Sequence, residues 1–258
     1  MDDETREEIR QIVENLILDK VRKYDPESEY KPFHSALFSE EDLAKYSLLH
    51  SFSTSFGMSA YEQIAKTLAK GAGYHAETQY ELDGKVDHET QSLISKMSKE
   101  LKKGEVNPDR DIEVGKIRDS IKQVSNGNGG EDPDRVVDLY IRKPSGEEYY
   151  FDITTVKPNK KEFQTLKRKL LKWMGLSLSV DQDAKVYPRI ALPYNPQHPQ
   201  PYTRWTKSGL YDENQLMVGD EFWELCAGEP VFDEILEIFE EVGEEMENIL
   251  DDTLEEDL

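Results

Sequence analysis

Two aspartates stand in the sequence where aspartate is least at home. The stretch RVVDLYIRKPSGEEYYFDITTVKPN, residues 135–159, sets Asp138 among Val136, Val137, Leu139, Tyr140 and Ile141, and Asp152 among Tyr149, Tyr150, Phe151, Ile153, Thr154, Thr155 and Val156. β-Branched and aromatic residues favour strands, whereas aspartate is depleted from strand interiors. Pro144, Ser145 and Gly146 supply turn chemistry between the two runs, so the segment reads as a hairpin. With the turn centred on Ser145, residues facing each other across the hairpin have numbers summing to about 290, which sets Asp138 beside Asp152 with both side chains on one face. Like charges opposed on a sheet are destabilising unless positive charge lies between them. Two hard oxygen donors converging on one point suit Mg²⁺, and positive charge next to them suits a phosphate.

The positive charge follows at once. Between Lys160 and Lys172 lie six basic residues, Lys160, Lys161, Lys167, Arg168, Lys169 and Lys172, against the one acid Glu162. The net charge of the whole chain is -22, which by itself argues against a nucleic-acid partner. Its distribution removes that objection. Residues 211–258 hold 19 of the 54 acids and no Lys or Arg, leaving 35 acids against all 32 basic residues in the first 210 positions. The acidity is largely a C-terminal property, expected to serve solubility or a partner.

The elements that must position the aspartates can be traced along the chain. Ile9, Ile12, Val13, Leu16, Ile17 and Val21 recur at helical spacing, and SAYEQIAKTLAKGAG reads as a second helix carrying Glu62, with Ser59 as its cap and Gly71 or Gly73 at its end. Further helices are expected over 88–103 and 111–124, followed by a Gly- and Asn-rich loop into the hairpin. After the hairpin, Phe163, Leu166, Leu170, Trp173 and Met174 line one face of a basic helix, and KVYPRIAL reads as a strand. A strand, helix, strand succession implies a crossover, so KVYPRIAL should run parallel to the Asp152 strand. The proline-rich PYNPQHPQPYTRW is expected to be irregular, and GDEFWEL and VFDEILEIFEEVGEEMENIL to be helices running into a solvated acidic tail. The predicted fold class is α/β, a mixed central β-sheet flanked by helices, with a helical segment over 1–53, a core over 54–210 and an acidic helical segment over 211–258.

Other features narrow the class. The single cysteine, Cys226, can form neither an internal disulfide nor a cysteine-based zinc site. The five histidines show no metal-ligand spacing. No long apolar run occurs and the opening MDDETREEIR is acidic and polar, so a cytoplasmic protein is expected.

Over LHSFSTSFGMSAYEQIA, DPDRVVDLYI, YYFDITTVKPNKKEF and GDEFWEL, roughly residues 49–227, the chain resembles the PD-(D/E)XK nuclease superfamily and within it type II restriction endonucleases that cut GGNCC-type sites. The resemblance implies that Asp138 is the first acid of the motif, Asp152 the second, and Glu62 the assisting glutamate of an earlier helix. It also implies that Asp138, Asp152 and the Ile153 carbonyl hold Mg²⁺ and that the substrate is double-stranded DNA. The expected activity is cleavage at a short palindrome by a homodimer, leaving 5′-phosphate and 3′-hydroxyl ends. One position departs from the motif: Thr154 stands where its lysine belongs. Lys157 is the nearest cation and is expected to replace it. Asn159, Lys160, Lys161, Lys167, Arg168, Lys172, Arg204 and Lys207 are the expected DNA contacts. Two rival functions fit the same residues, a DNA-binding protein on a weakened nuclease fold and a structure-selective DNA repair nuclease.

Overall fold

The computed structural model describes residues 1–23, 32–55, 59–124, 133–154, 160–203, 212 and 215–256. Its centre is a five-stranded sheet in the order β1-β2-β3-β4-β5, formed by β1 (His75–Glu81), β2 (Val136–Arg142), β3 (Glu147–Ile153), β4 (Lys185–Leu192) and β5 (Leu216–Val218). β2 and β3 are the expected hairpin, closed by Gly146 at φ +86°, a backbone conformation that a residue with a Cβ adopts only under strain. Leu139 pairs with Phe151 and Tyr140 with Tyr150, the register expected from the turn. β1 adds antiparallel to β2, while β4 lies parallel to β3 and β5 parallel to β4, so the sheet is mixed. β3 is therefore central, paired on both sides.

Nine helices surround the sheet among the described residues: α1 (Asp3–Lys23), α2 (Pro32–Ser35), α3 (Glu40–Ser55), α4 (Tyr61–Gly71), α5 (His88–Lys103), α6 (Arg110–Ser120), α7 (Lys160–Val180), α8 (Asp220–Ala227) and α9 (Phe232–Glu256). Two hydrophobic layers result. On one face Trp173, Leu170 and Met174 of α7, with Ile94 and Met97 of α5 and Ile117 of α6, bury Tyr140, Tyr150 and Ile190. On the other face Ile9 and Val13 of α1, Ile64 and Leu68 of α4, Phe222 and Trp223 of α8 and Ile238 and Val242 of α9 bury Leu139, Phe151 and Ile153. Alternate residues of β3 thus feed opposite cores, as the two-residue period of a strand requires.

Several elements differ from their sequence signals. β1, HAETQYE, has alternation too polar to read as a strand, and α3 is a helix over a run whose apolar residues form no stripe. α6 ends at Ser120 rather than continuing to 124, because Ile121 turns to an extended backbone (ψ 135°). Ser59 does not cap α4: the capping position falls on Ala60, which is already helical and makes no side-chain cap. The helix expected over VFDEILEIFEEVGEEMENIL is present as α9. α9 packs along α1, where the terminal amine of Met1 meets Glu234 at 3.0 Å, Arg6 meets Glu241 at 2.6 Å and Arg10 pairs with Glu245. Three acids of α9 thus meet a cation on or just before α1, and Ile238 and Val242 are fully buried. No helix among the described residues is long and apolar enough to cross a membrane.

If α9 is core rather than tail, Ile238→Ala lowers unfolding free energy by about 2–5 kcal/mol, the range for deleting a buried branched side chain. Leu236→Ala, at a position 46% exposed on the same helix, costs far less. Urea denaturation of the two variants checks the difference.

Candidate active site

The sheet register builds the site before any side chain is placed. Continuing the pairs Leu139–Phe151 and Tyr140–Tyr150 by one step sets Asp138 opposite Asp152 at the end of the hairpin ladder. There the ladder gives way to a side chain, because the Ile153 N–H donates to Asp138 Oδ2 at 2.7 Å. The N–H and C=O of one strand residue point to the same side, so the Ile153 carbonyl also lies on the Asp138 side of β3. β3 stays bound to β4 through this region, since the Thr154 N–H donates to the Ala191 carbonyl at 3.0 Å. A stiff central strand thus fixes Asp152, while Asp138 is held by a backbone donor.

The missing positive charge comes from a helix. Lys169 Nζ of α7 lies 2.5 Å from Asp152 Oδ2 and 5.0 Å from the Trp173 ring centroid. Trp173 and Lys169 stand one helical turn apart, and the Trp173 indole N–H donates to the Asp134 carbonyl at 2.7 Å. Lys172 meets the Asp134 carboxylate at 3.1 Å. α7 is thereby pinned to the turn Pro133–Arg135 that leads into β2, and its pinned face carries Lys169 to the aspartates. Lys169 belongs to the basic run, yet nothing in its immediate sequence singles it out. The available signal was helical spacing: Leu166, Leu170 and Trp173 set the buried face, and Lys169 lies at its margin.

Glu62 opens α4 and is 6% exposed. Gln79 of β1 donates its side-chain amide to Glu62 Oε2 at 2.9 Å. Burial pushes the Glu62 carboxyl above its usual range, Gln79 opposes that shift, and the charge of Asp152 adds to it. The Asp138 carboxyl is pushed up to about 7, first by burial and then by the Asp152 charge, with Glu62 adding to the shift; the Ile153 N–H and Lys169 act in the other direction. Three acids therefore feel one another, and Lys169 only partly compensates.

This donor set fits a divalent hard cation. Among the described residues no three His, Cys, Asp or Glu side chains converge closely enough to hold a metal ion by themselves. The fit rests on two carboxylates, a backbone carbonyl on the same side, and the half-buried Asp138 carboxyl, whose proton affinity is raised by burial and by the Asp152 charge. Oxygen donors of this kind suit Mg²⁺, which ordinarily keeps several waters and takes one or two carboxylates.

The remaining expected residues divide clearly. Thr154 continues β3 and is half-buried. Lys157, Asn159, Arg204 and Lys207 lie outside the described residues. Lys160 and Lys161 open α7, and Arg168 is exposed on it. Lys167 cannot contact DNA in this fold. Its side chain is fully buried, with Nζ 2.6 Å from both Glu113 Oε2 and Gln215 Oε1. Burial lowers its pKa, and the Glu113 carboxylate opposes this. Lys172 is largely buried against Asp134, so its charge serves the turn before β2 rather than an open phosphate surface.

A family model described as "Type II restriction endonuclease, HinfI" matches residues 1–243. The type II restriction enzyme HgiCII of Herpetosiphon aurantiacus is 24% identical over 221 residues, covering 84% of this chain and 79% of that protein. HgiEI of the same organism is 24% identical over 220 residues, covering 84% and 78%. The type II restriction enzyme MjaII of Methanocaldococcus jannaschii is 26% identical over 200 residues, covering 70% of this chain and 50% of that protein. The family match takes in α1 and much of α9, beyond the stretches that carry the resemblance in sequence.

The raised Asp138 carboxyl has a consequence for stability. Unfolded aspartate binds its proton near pH 4, whereas folded Asp138 does so near 7, so the metal-free protein loses stability as pH rises between those values. Asp138→Asn removes the half-buried charge while keeping an acceptor for the Ile153 N–H. In EDTA at pH 8 this variant melts a few degrees above the wild type, given about 2–4 °C per kcal/mol for a chain of this size. The gain disappears below pH 4, where aspartate is neutral in both states. Equal melting temperatures at pH 8 would contradict the assignment.

Proposed function

The chain belongs to the HinfI-like family of type II restriction endonucleases, and from that premise we propose a Mg²⁺-dependent enzyme that cuts both strands of DNA at a short palindrome. The family makes it a site-specific deoxyribonuclease acting on DNA. The observation that carries the proposed mechanism is the placement of Asp138, Asp152 and Lys169, two acids at facing ladder positions with an ammonium 2.5 Å from one of them.

Asp138, Asp152 and the Ile153 carbonyl would hold the cation. When bound, Mg²⁺ supplies the charge that makes a water acidic enough to attack and that offsets negative charge growing at phosphorus. Lys169 then takes the role that the Thr154 position leaves open. Its ammonium, steadied by the Trp173 ring and by Asp152, can donate to the attacking water or to a non-bridging phosphate oxygen as charge develops there. Glu62 adds a carboxylate at the margin, where it can accept a hydrogen bond from water. In-line attack breaking the P–O3′ bond leaves 5′-phosphate and 3′-hydroxyl ends. A palindrome has two-fold symmetry, which a homodimer matches. The exposed Arg168, with Lys160, Lys161, Asn159, Arg204 and Lys207, supplies candidates for phosphate and base contacts. An enzyme whose substrate is intracellular DNA works in the cytoplasm.

Incubation with plasmid and Mg²⁺ tests the proposal. Discrete fragments with ligatable 5′-phosphate ends support it; tight DNA binding without cutting, or cutting only at ends and junctions, would replace it with one of the two rival functions. In the same assay Asp138→Ala and Asp152→Ala abolish cutting. Lys169→Ala slows it by a factor on the order of 100 to 1,000, the size expected for losing one transition-state donor. Lys157→Ala is the matched control. If Lys157→Ala is the crippled variant and Lys169→Ala cuts normally, the lysine of the motif has moved along the strand and not to the helix.

A further inference from the structure

Gln79 lies beside the site without belonging to the metal set or to the lysine. It is the one non-glycine residue with positive φ among the described residues, at +52°. Residues with a Cβ seldom adopt that conformation, and such positions gather where a structure holds a side chain in a particular place. The strand register gives the place. β1 pairs with β2 through Thr78–Leu139 and Tyr80–Val137, so Gln79 falls opposite Asp138. Gln79, Asp138 and Asp152 therefore lie in one row across β1, β2 and β3, and Gln79 reaches from that row to Glu62 on α4.

The backbone conformation has a mechanical effect. Thr78 faces α4, because its hydroxyl accepts from Gln63 Nε2 at 3.3 Å. In a regular strand the next side chain would point to the opposite face and Tyr80 would return to α4. Instead Gln79 also reaches α4, at Glu62, and Tyr80 stacks on Tyr140 with ring centroids 4.4 Å apart. A single left-handed residue breaks the alternation. Adjacent helix residues, Glu62 and Gln63, can then be gripped by adjacent strand residues, Gln79 and Thr78.

We propose that Gln79 is a positioning residue for cleavage: the kink turns its amide onto Glu62 and holds that carboxylate at the edge of the Asp138–Asp152 pair. It acts through Glu62 and not on the reacting atoms. The Gln79 hydrogen bond also favours the charged form of Glu62 against burial and the Asp152 charge. The inference rests on the nuclease reading of the site. A purely structural alternative is a kink that keeps the edge strand β1 from pairing with other chains.

Glycine separates the two roles, because Gln79→Gly accepts φ +52° without strain and lacks the amide. Single-turnover cleavage is measured on a plasmid carrying the site read from the wild-type cut ends, with melting temperature and DNA affinity measured alongside. Gln79→Gly is expected to melt at or above the wild-type temperature, to bind DNA equally well and to cut about tenfold more slowly. Gln79→Asn, which keeps an amide on a residue that tolerates this backbone, recovers part of the rate. Gln79→Gly combined with Glu62→Gln is expected to be no slower than Glu62→Gln alone, since one residue works through the other. Should the glycine variant lose stability, the same cycle is run with Gln79→Asn. Wild-type rates for Gln79→Gly, or losses that add in full in the double variant, overturn the inference. Asp152→Ala is assayed in parallel. If it cuts normally the nuclease reading itself fails, whereas a dead Asp152→Ala beside a normal Gln79→Gly removes only the role of Gln79.

Discussion

Two carboxylates facing each other at the end of a buried hairpin ladder set the terms for everything around them. A folded chain can keep such a pair only by supplying positive charge, by protonating one member, or by binding a cation. This protein shows the first two in part and adds a backbone hydrogen bond. Lys169 sits on Asp152, the Asp138 carboxyl is pushed up to about 7, and the Ile153 N–H takes one Asp138 oxygen. The compensation is incomplete, and in the proposed function that incompleteness is what a divalent ion would offset. A fully neutralised pair would be stable and inert.

The surrounding architecture holds this costly arrangement in place. β3 is paired on both sides and packed on both faces, so Asp152 cannot relax away from Asp138. α7 is fixed at three points on one side: Trp173 to Asp134, Lys172 to Asp134, and the buried Lys167 to Glu113 and Gln215. A buried lysine with its carboxylate and amide is expensive to desolvate and costlier still to break, so the set fixes where α7 lies against α6 and the start of β5. Basic residues that look in sequence like a DNA surface are thus divided by the fold. Some anchor the helix, and Lys169 faces the acids.

The hairpin was legible because its signals are local. β-Branched and aromatic runs, a Pro-Ser-Gly turn and the two-residue period determine both strands and their register, and the crossover to KVYPRIAL follows from chain connectivity. The two aspartates stand out for the same reason, whereas Glu62 is singled out only by the family resemblance. Lys169 could not be named, because its role depends on how α7 is rotated against the sheet, which tertiary contacts of Trp173 and Lys172 decide. Gln79 was hidden more deeply: β1 is too polar to read as a strand, and a left-handed residue inside it leaves no sequence mark when it is not glycine or asparagine. The burial of Lys167 against Glu113 and Gln215 joins residues distant in sequence, which no periodicity reports.

We propose that Asp138 and Asp152 face each other because a cation belongs between them. Crystals grown or soaked with Mn²⁺ and measured at the manganese absorption edge locate that ion directly. An anomalous peak within coordination distance of Asp138, Asp152 and the Ile153 carbonyl, lost in Asp138→Ala, is the predicted result. A peak elsewhere, or an unchanged peak in Asp138→Ala, would contradict it.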